Sequence, residues 1–201
     1  MKFWTTFVTA VLVMAFSALS ANAGQVRYNF SGSTFEETGK KKKTRSAGFT
    51  SSYRGKKTVS FSRSLKPGSI LIKTSERRLY YVLPGGKAIK YGIGVGRQGF
   101  TWRGRKRISR KAEWPDWRPP ARMIAREKKK GRNLPAFMPG GRNNPLGARA
   151  LYLGGSIYRI HGTNQASTIG QAVSSGCIRM RNDEVTDLYK RVRLGALVIV
   201  E

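Results

Sequence analysis

The chain has 201 residues, 39% of them hydrophobic, enough for one packed domain with extensions. Its 39 Lys and Arg stand against 10 Asp and Glu, a formal net charge of +29, so the surface must seek anionic partners, whatever the fold. A single Cys and a single His exclude an intrachain disulfide. They also fall short of the four ligands of a structural zinc or the three of a catalytic one, so no metal or other cofactor is expected.

The first residues give an address. Met1 and Lys2 open the chain, Phe7 to Leu19 form an apolar run, and the small residues Ala21 and Ala23 precede Gly24. This is the layout of a secretory signal peptide over residues 1–23. The apolar run is shorter than the roughly 20 residues of a membrane span, so no stable span is expected once it is cleaved; an uncleaved membrane anchor is the alternative reading. An exported protein does not meet chromosomal nucleic acid, so the basic charge is expected to face envelope polyanions or solvent. Export also makes the cysteine notable. An oxidising compartment favours paired thiols, and a leftover Cys177 is either an intermolecular disulfide or a free, reactive thiol.

Residues 24–65 are rich in Gly, Ser, Thr and Lys, with the run Lys40 to Lys43, and have no sustained period of 2 or 3.6. That composition reads as a flexible basic tether. A domain over 66–201 follows. Short β-rich runs occur at 69–73 (SILIK), 77–83 (RRLYYVL) and 87–96 (KAIKYGIGVG), with turn chemistry at Pro84-Gly85-Gly86. A second strand pair is expected at 148–154 and 156–161. Asn182 is placed to cap a helix carrying Asp183 and Glu184 in its first turn, and Val185, Leu188, Tyr189 and Val192 share one face of it. Gly195 ends that helix and 196–200 (ALVIV) returns as a strand. The expected fold is mainly β, a sandwich or partly closed barrel with one helix near the C-terminus. Residues 97–147, dense in Pro, Gly and Trp, read as a long ordered loop over the site. Within it Trp114 and Trp117 either flank a cleft or cover a satellite core, and 103–111 (RGRKRISRK) reads as a solvated charge run.

His161 and Cys177 both fall in the Gly/Ser-rich stretch 160–180, IHGTNQASTIGQAVSSGCIRM. His161 ends a predicted strand and Cys177 follows Gly176. An imidazole can take a thiol's proton, and a glycine lets the Gly176 and Cys177 N–H groups turn toward a developing oxyanion. A buried inert thiol and a structural histidine are the competing readings of the same residues.

The sequence IHGTN, a spacer and SSGCIRM resemble the signature of L,D-transpeptidases with the YkuD catalytic domain. The blocks YGIGVGRQGFTW, WPDWRPP, LPAFMPGG, NPLGARALYLG and DEVTDLY extend the likeness over about 67–201. Many family members carry a second histidine where this chain has Ser175. The resemblance implies a two-step acyl transfer on peptidoglycan stem peptides in the periplasm or cell envelope. In it Cys177 is the nucleophile, His161 the proton acceptor and donor, and the Gly162 carbonyl orients His161. Arg179 and Ser175 are its candidate substrate contacts. The acyl acceptor is a second stem peptide or an envelope protein. A carboxypeptidase using the same pair, and a non-catalytic cationic envelope-binding module, are the alternatives.

Overall fold

The computed structural model describes residues 55–201 and, upstream of them, two short strands, β1 (Val26–Tyr28) and β2 (Phe35–Glu37), which pair antiparallel. The signal-peptide stretch 1–23 lies outside the described residues, as does most of 24–65.

Two apolar runs seed the sheet. Ile70, Leu71 and Ile72 of β4 (Ile70–Lys73), and Val198, Ile199 and Val200 of β13 (Leu197–Val200), are all buried, so both faces of these strands are covered. Continuous rather than alternating hydrophobicity is what such a central strand needs. They lie side by side in parallel. From β4 the chain turns back through β5 (Arg78–Leu83) and β6 (Lys87–Gly92), successive antiparallel hairpins. On the other side of β13 come β8 (Gly104–Glu113), β9 (Arg149–Leu153) and β10 (Arg159–His161), each antiparallel to its neighbour. The short β12 (Ile178–Arg179) closes that side, parallel to β10. At the opposite edge β3 (Lys57–Ser60) pairs with β6. A separate two-stranded ladder joins β7 (Val95–Gly96) to β11 (Ala172–Ser174).

The nine-stranded sheet thus runs β12-β10-β9-β8-β13-β4-β5-β6-β3 and stays open; it does not close into a barrel. Helix α2 (Asn182–Arg191) covers one face, with Val185 and Leu188 entering a core that includes Tyr91, Leu151, Ile160, Ile178 and Val198.

Three elements differ from the sequence-based expectation. Strand β3 lies inside the stretch read as a tether, so the ordered sheet begins ahead of residue 66. The charge run 103–111 is not a loop but most of the ten-residue strand β8. Only Ile108 of β8 is buried, so the strand lacks an apolar alternation and is held by backbone pairing on both sides. Its basic side chains have specific partners: Lys111 donates to the carbonyls of Tyr189 and Val192 at 2.6 and 2.8 Å, satisfying the C-terminal end of α2. Finally, a second helix, α1 (Ala121–Lys128), interrupts the long connection. It buries no residue, and the basic run 128–130 overlaps its C-terminal end, which masks its periodicity.

Candidate active site

The parallel pairing of β10 with β12 sets Ile160 opposite Ile178 and His161 opposite Arg179. Side chains alternate across strands, so Ile160 and Ile178 enter the core while His161 and Arg179 emerge together on the other face. One step back in the same register, Arg159 stands beside Cys177. The result is a two-by-two array: Arg159 next to the thiol, Arg179 next to the imidazole. Neighbouring strands are ~4.8 Å apart, so the four groups share one small patch.

His161 is 4% exposed, and its Nδ1 lies 2.6 Å from the Gly162 carbonyl oxygen. A neutral imidazole in that contact must donate from Nδ1, which leaves Nε2 as the acceptor. Burial, then the charges of Arg179 and Arg159, lower its pKa to about 3; the carbonyls of Gly162 and Leu146 act in the opposite sense. The ring is therefore neutral throughout the physiological range.

Cys177 is a free, partly exposed cysteine. Burial of its sulfur raises the thiol pKa, and Arg159 opposes this through its charge, its backbone N–H and its guanidinium, with Arg179 acting in the same direction. The loop before it is fixed by its own side chains. Ser174 Oγ donates to the Cys177 carbonyl at 2.6 Å and accepts from the Gly176 N–H at 3.1 Å. Trp102 Nε1 donates to the Gly176 carbonyl at 3.0 Å, and the Trp102 ring stacks on Tyr158 with centroids 4.8 Å apart. Gly176 has a φ of +106°, and a Cβ there would come within 2.5 Å of Tyr158. Only glycine fits. The Gly176 N–H, a candidate oxyanion donor in the sequence, donates to Ser174 Oγ here.

Ser175 Oγ accepts from Arg126, in the last turn of α1, at 3.1 Å, which ties that helix to the loop carrying Cys177. Beside it opens a cavity of about 620 Å³, with Trp117, Arg126, Met138, Thr163, Ser175 and Arg179 among its walls. The connection between β8 and β9 does lie over this region, and Trp117 belongs to the cleft. Trp114 is 42% exposed and is not among the lining residues.

Two residues escaped sequence reasoning. Arg159 becomes visible only when the β10–β12 register is known. Asn182 was assigned the wrong partner. It does not cap α2, which is preceded by Arg181 without a side-chain cap. Its Oδ1 accepts from the Ala148 N–H at 3.0 Å and the Thr163 N–H at 3.1 Å. A Cβ at Gly147 or at Gly162 would collide with that oxygen. Asn182 thereby pins the amide that follows the Gly162 carbonyl, which His161 contacts, to the backbone at Ala148 just ahead of β9.

The fold and this array define a class. Residues 67–200 match the sequence profile of YkuD, the L,D-transpeptidase catalytic domain, and the chain belongs to that family. Among curated relatives, the probable L,D-transpeptidase ErfK/SrfK of Escherichia coli K12 is 40% identical over 134 residues, 64% of this chain and 42% of the relative. The probable L,D-transpeptidase YcfS of the same strain is 42% identical over 135 residues, again 64% and 42%. The matched part thus spans less than half the length of these relatives. An L,D-transpeptidase structure from Mycobacterium smegmatis shares the fold, with a TM-score of 0.52 at 18% identity over 66% of this chain and 57% of that one.

Two outcomes test this geometry. Asn182→Ala leaves two N–H groups without their acceptor and should lower stability by about 2 kcal/mol or more in chemical denaturation, whereas Asn182→Asp keeps the oxygen and should stay near wild type. For His161, the unfolded chain takes up a proton near pH 6.5 while the folded chain does not until about pH 3. Falling pH therefore favours unfolding across that window. Stability fully present above pH 6.5 is lost at ~1.4 kcal/mol per pH unit, about 2 kcal/mol by pH 5. His161→Gln should lack that loss between pH 7 and 5; an unchanged slope would contradict a neutral buried imidazole.

Proposed function

We propose that the chain is an exported cell-wall transpeptidase in which Cys177 is the nucleophile and His161 its proton acceptor. The observation that supports this best is the shared face of β10 and β12, which sets a thiol beside a guanidinium and, diagonally, a neutral imidazole oriented by the Gly162 carbonyl. The donor is a peptidoglycan stem peptide. Cys177 attacks the carbonyl that precedes a terminal D-alanine, a C–S bond forms, and the C–N bond to D-alanine breaks as His161 returns the thiol proton to the leaving amine. An incoming amine, from a second stem peptide or an envelope protein, then attacks the thioester. It loses its proton to Nε2 and restores the thiol. His161 suits both proton transfers because it is neutral before each.

The roles of the remaining residues follow from chemistry. The Cys177 N–H is the backbone donor for the tetrahedral oxyanion. Arg179, with its Nε buried and without a partner among the described residues, pairs with a substrate carboxylate, and Ser175 contributes a neutral hydrogen bond at the same wall. In this reading residues 1–23 direct export, and the basic stretch after them holds the domain near the anionic envelope.

Incubation of the mature protein with disaccharide-tetrapeptide, followed by product masses, tests the reading. Cross-linked dimer is expected, and it should vanish in Cys177→Ala and fall roughly 10²–10⁴-fold in His161→Ala. Tripeptide without dimer would mean a carboxypeptidase, and unchanged substrate a binding module.

A further inference from the structure

Arg159 is the one member of the polar array to which the reaction above assigns nothing. Its position is set by register rather than by a flexible reach. With Ile160 opposite Ile178 in parallel strands, position 159 is the lateral neighbour of position 177 on the face away from the core. Its charge, its backbone N–H and its guanidinium all favour the ionised sulfur. The side chain is fixed from behind: one terminal nitrogen donates to the Ile157 carbonyl at 3.1 Å, and the guanidinium lies 5.4 Å from the centroid of the Tyr152 ring, the cross-strand neighbour of Arg159. Its Nε is buried with no hydrogen-bond partner among the described residues. A guanidinium held so firmly and so incompletely satisfied is stabilised by an anion alongside.

The imidazole is poorly suited to be that thiolate's counter-charge. His161 is buried, and both Arg159 and Arg179 repel a proton on it. An ion pair between thiolate and imidazolium would put a third cation between two others. We propose that Arg159 is the counter-cation of the Cys177 thiolate, so that His161 only relays the proton and the negative sulfur is held by the guanidinium and backbone N–H of its strand neighbour. In this step the S–H bond breaks, the proton passes to Nε2, from which it goes to the leaving amine when substrate is bound and to solvent when it is not, and the electron pair stays on sulfur beside Arg159. Nothing is oxidised or reduced. This rests on Cys177 being the nucleophile of the proposed reaction.

The charged groups acting on Cys177 are Arg159 of β10 and Arg179 of β12. His161 lies on the same face of β10. From α1, Arg126 donates to Ser175, lies 5.4 Å from the centroid of the Phe100 ring and is paired with Glu127.

The test is the pH profile of Cys177 alkylation by iodoacetamide, which reads sulfur ionisation without any substrate. In the whole chain Arg159→Gln should move the midpoint upward by one pH unit or more, the shift expected for losing an opposite charge at this range. Alkylation at pH 7 should then be at least about tenfold slower and should converge with wild type at high pH. Arg159→Lys should recover most of the difference, and Arg179→Gln should shift the midpoint less than Arg159→Gln. Coincident profiles for Arg159→Gln and wild type would overturn the proposal, as would a rate reduced equally at every pH. If the Gln variant fails to fold, the Lys variant decides alone, since a displacement of a full unit with the charge retained would also overturn it. A chain that alkylates as described but leaves stem peptides untouched would overturn the transpeptidase reading and leave the thiolate partnership standing.

Discussion

The site depends on one short parallel pairing. Strands β10 and β12 share only the pairs Ile160–Ile178 and His161–Arg179, yet that register decides which side chains meet. The two isoleucines anchor it, at 0% and 2% exposed, inside the core that α2 completes. A slip of one residue would send His161 inward and Ile160 outward, and the array would cease to exist. Burial of two aliphatic side chains, about 1.5–3 kcal/mol each, therefore sets the geometry of the chemistry on the opposite face.

The electrostatics of that face are unusual because its fixed charges are all positive. Desolvation raises the thiol and lowers the imidazole, so in the resting state both groups are neutral. Neutral groups are what burial tolerates between two guanidiniums. The same cations become favourable as negative charge develops on sulfur, on an oxyanion or on a bound carboxylate. Under the proposed reaction the arrangement distinguishes the reacting state from the resting one, which is the requirement for accelerating a step rather than merely binding a substrate. The wider charge excess serves elsewhere in part: Lys111 closes the end of α2, and Arg110 lies 3.6 Å from the centroid of the Tyr152 ring.

Much of the fold was legible because its central strands are written in plain hydrophobic runs. The runs 69–73, 77–83 and 196–200 became β4, β5 and β13, and Val185, Leu188 and Val192 mark the buried face of α2. Strand β8 was not legible, since nine of its ten residues are not buried and pairing rather than burial holds it. Helix α1 was hidden for a related reason, having no buried residue to mark its period. At the site, His161 and Cys177 stood out as lone residue types in one glycine-rich stretch. Arg159 did not, because its meaning lies in a neighbour eighteen positions away across a strand pair. Asn182 looked like a helix cap because residue type and position allow it. The tertiary contact with Ala148 and Thr163 took precedence, as two orphaned amides beside the site outweigh one at a solvent-facing helix end.

The central claim is that Cys177 carries the acyl group between donor and acceptor. Rapid acid quenching of mature protein mixed with tetrapeptide donor, followed by intact-mass and peptide-mass measurement, addresses it directly. The account predicts a protein heavier by the tripeptide acyl group, with the added mass on the peptide containing Cys177 and released by hydroxylamine as a thioester should be. An acyl group found on another residue, or cross-linked product formed with no mass ever added to Cys177, would contradict it.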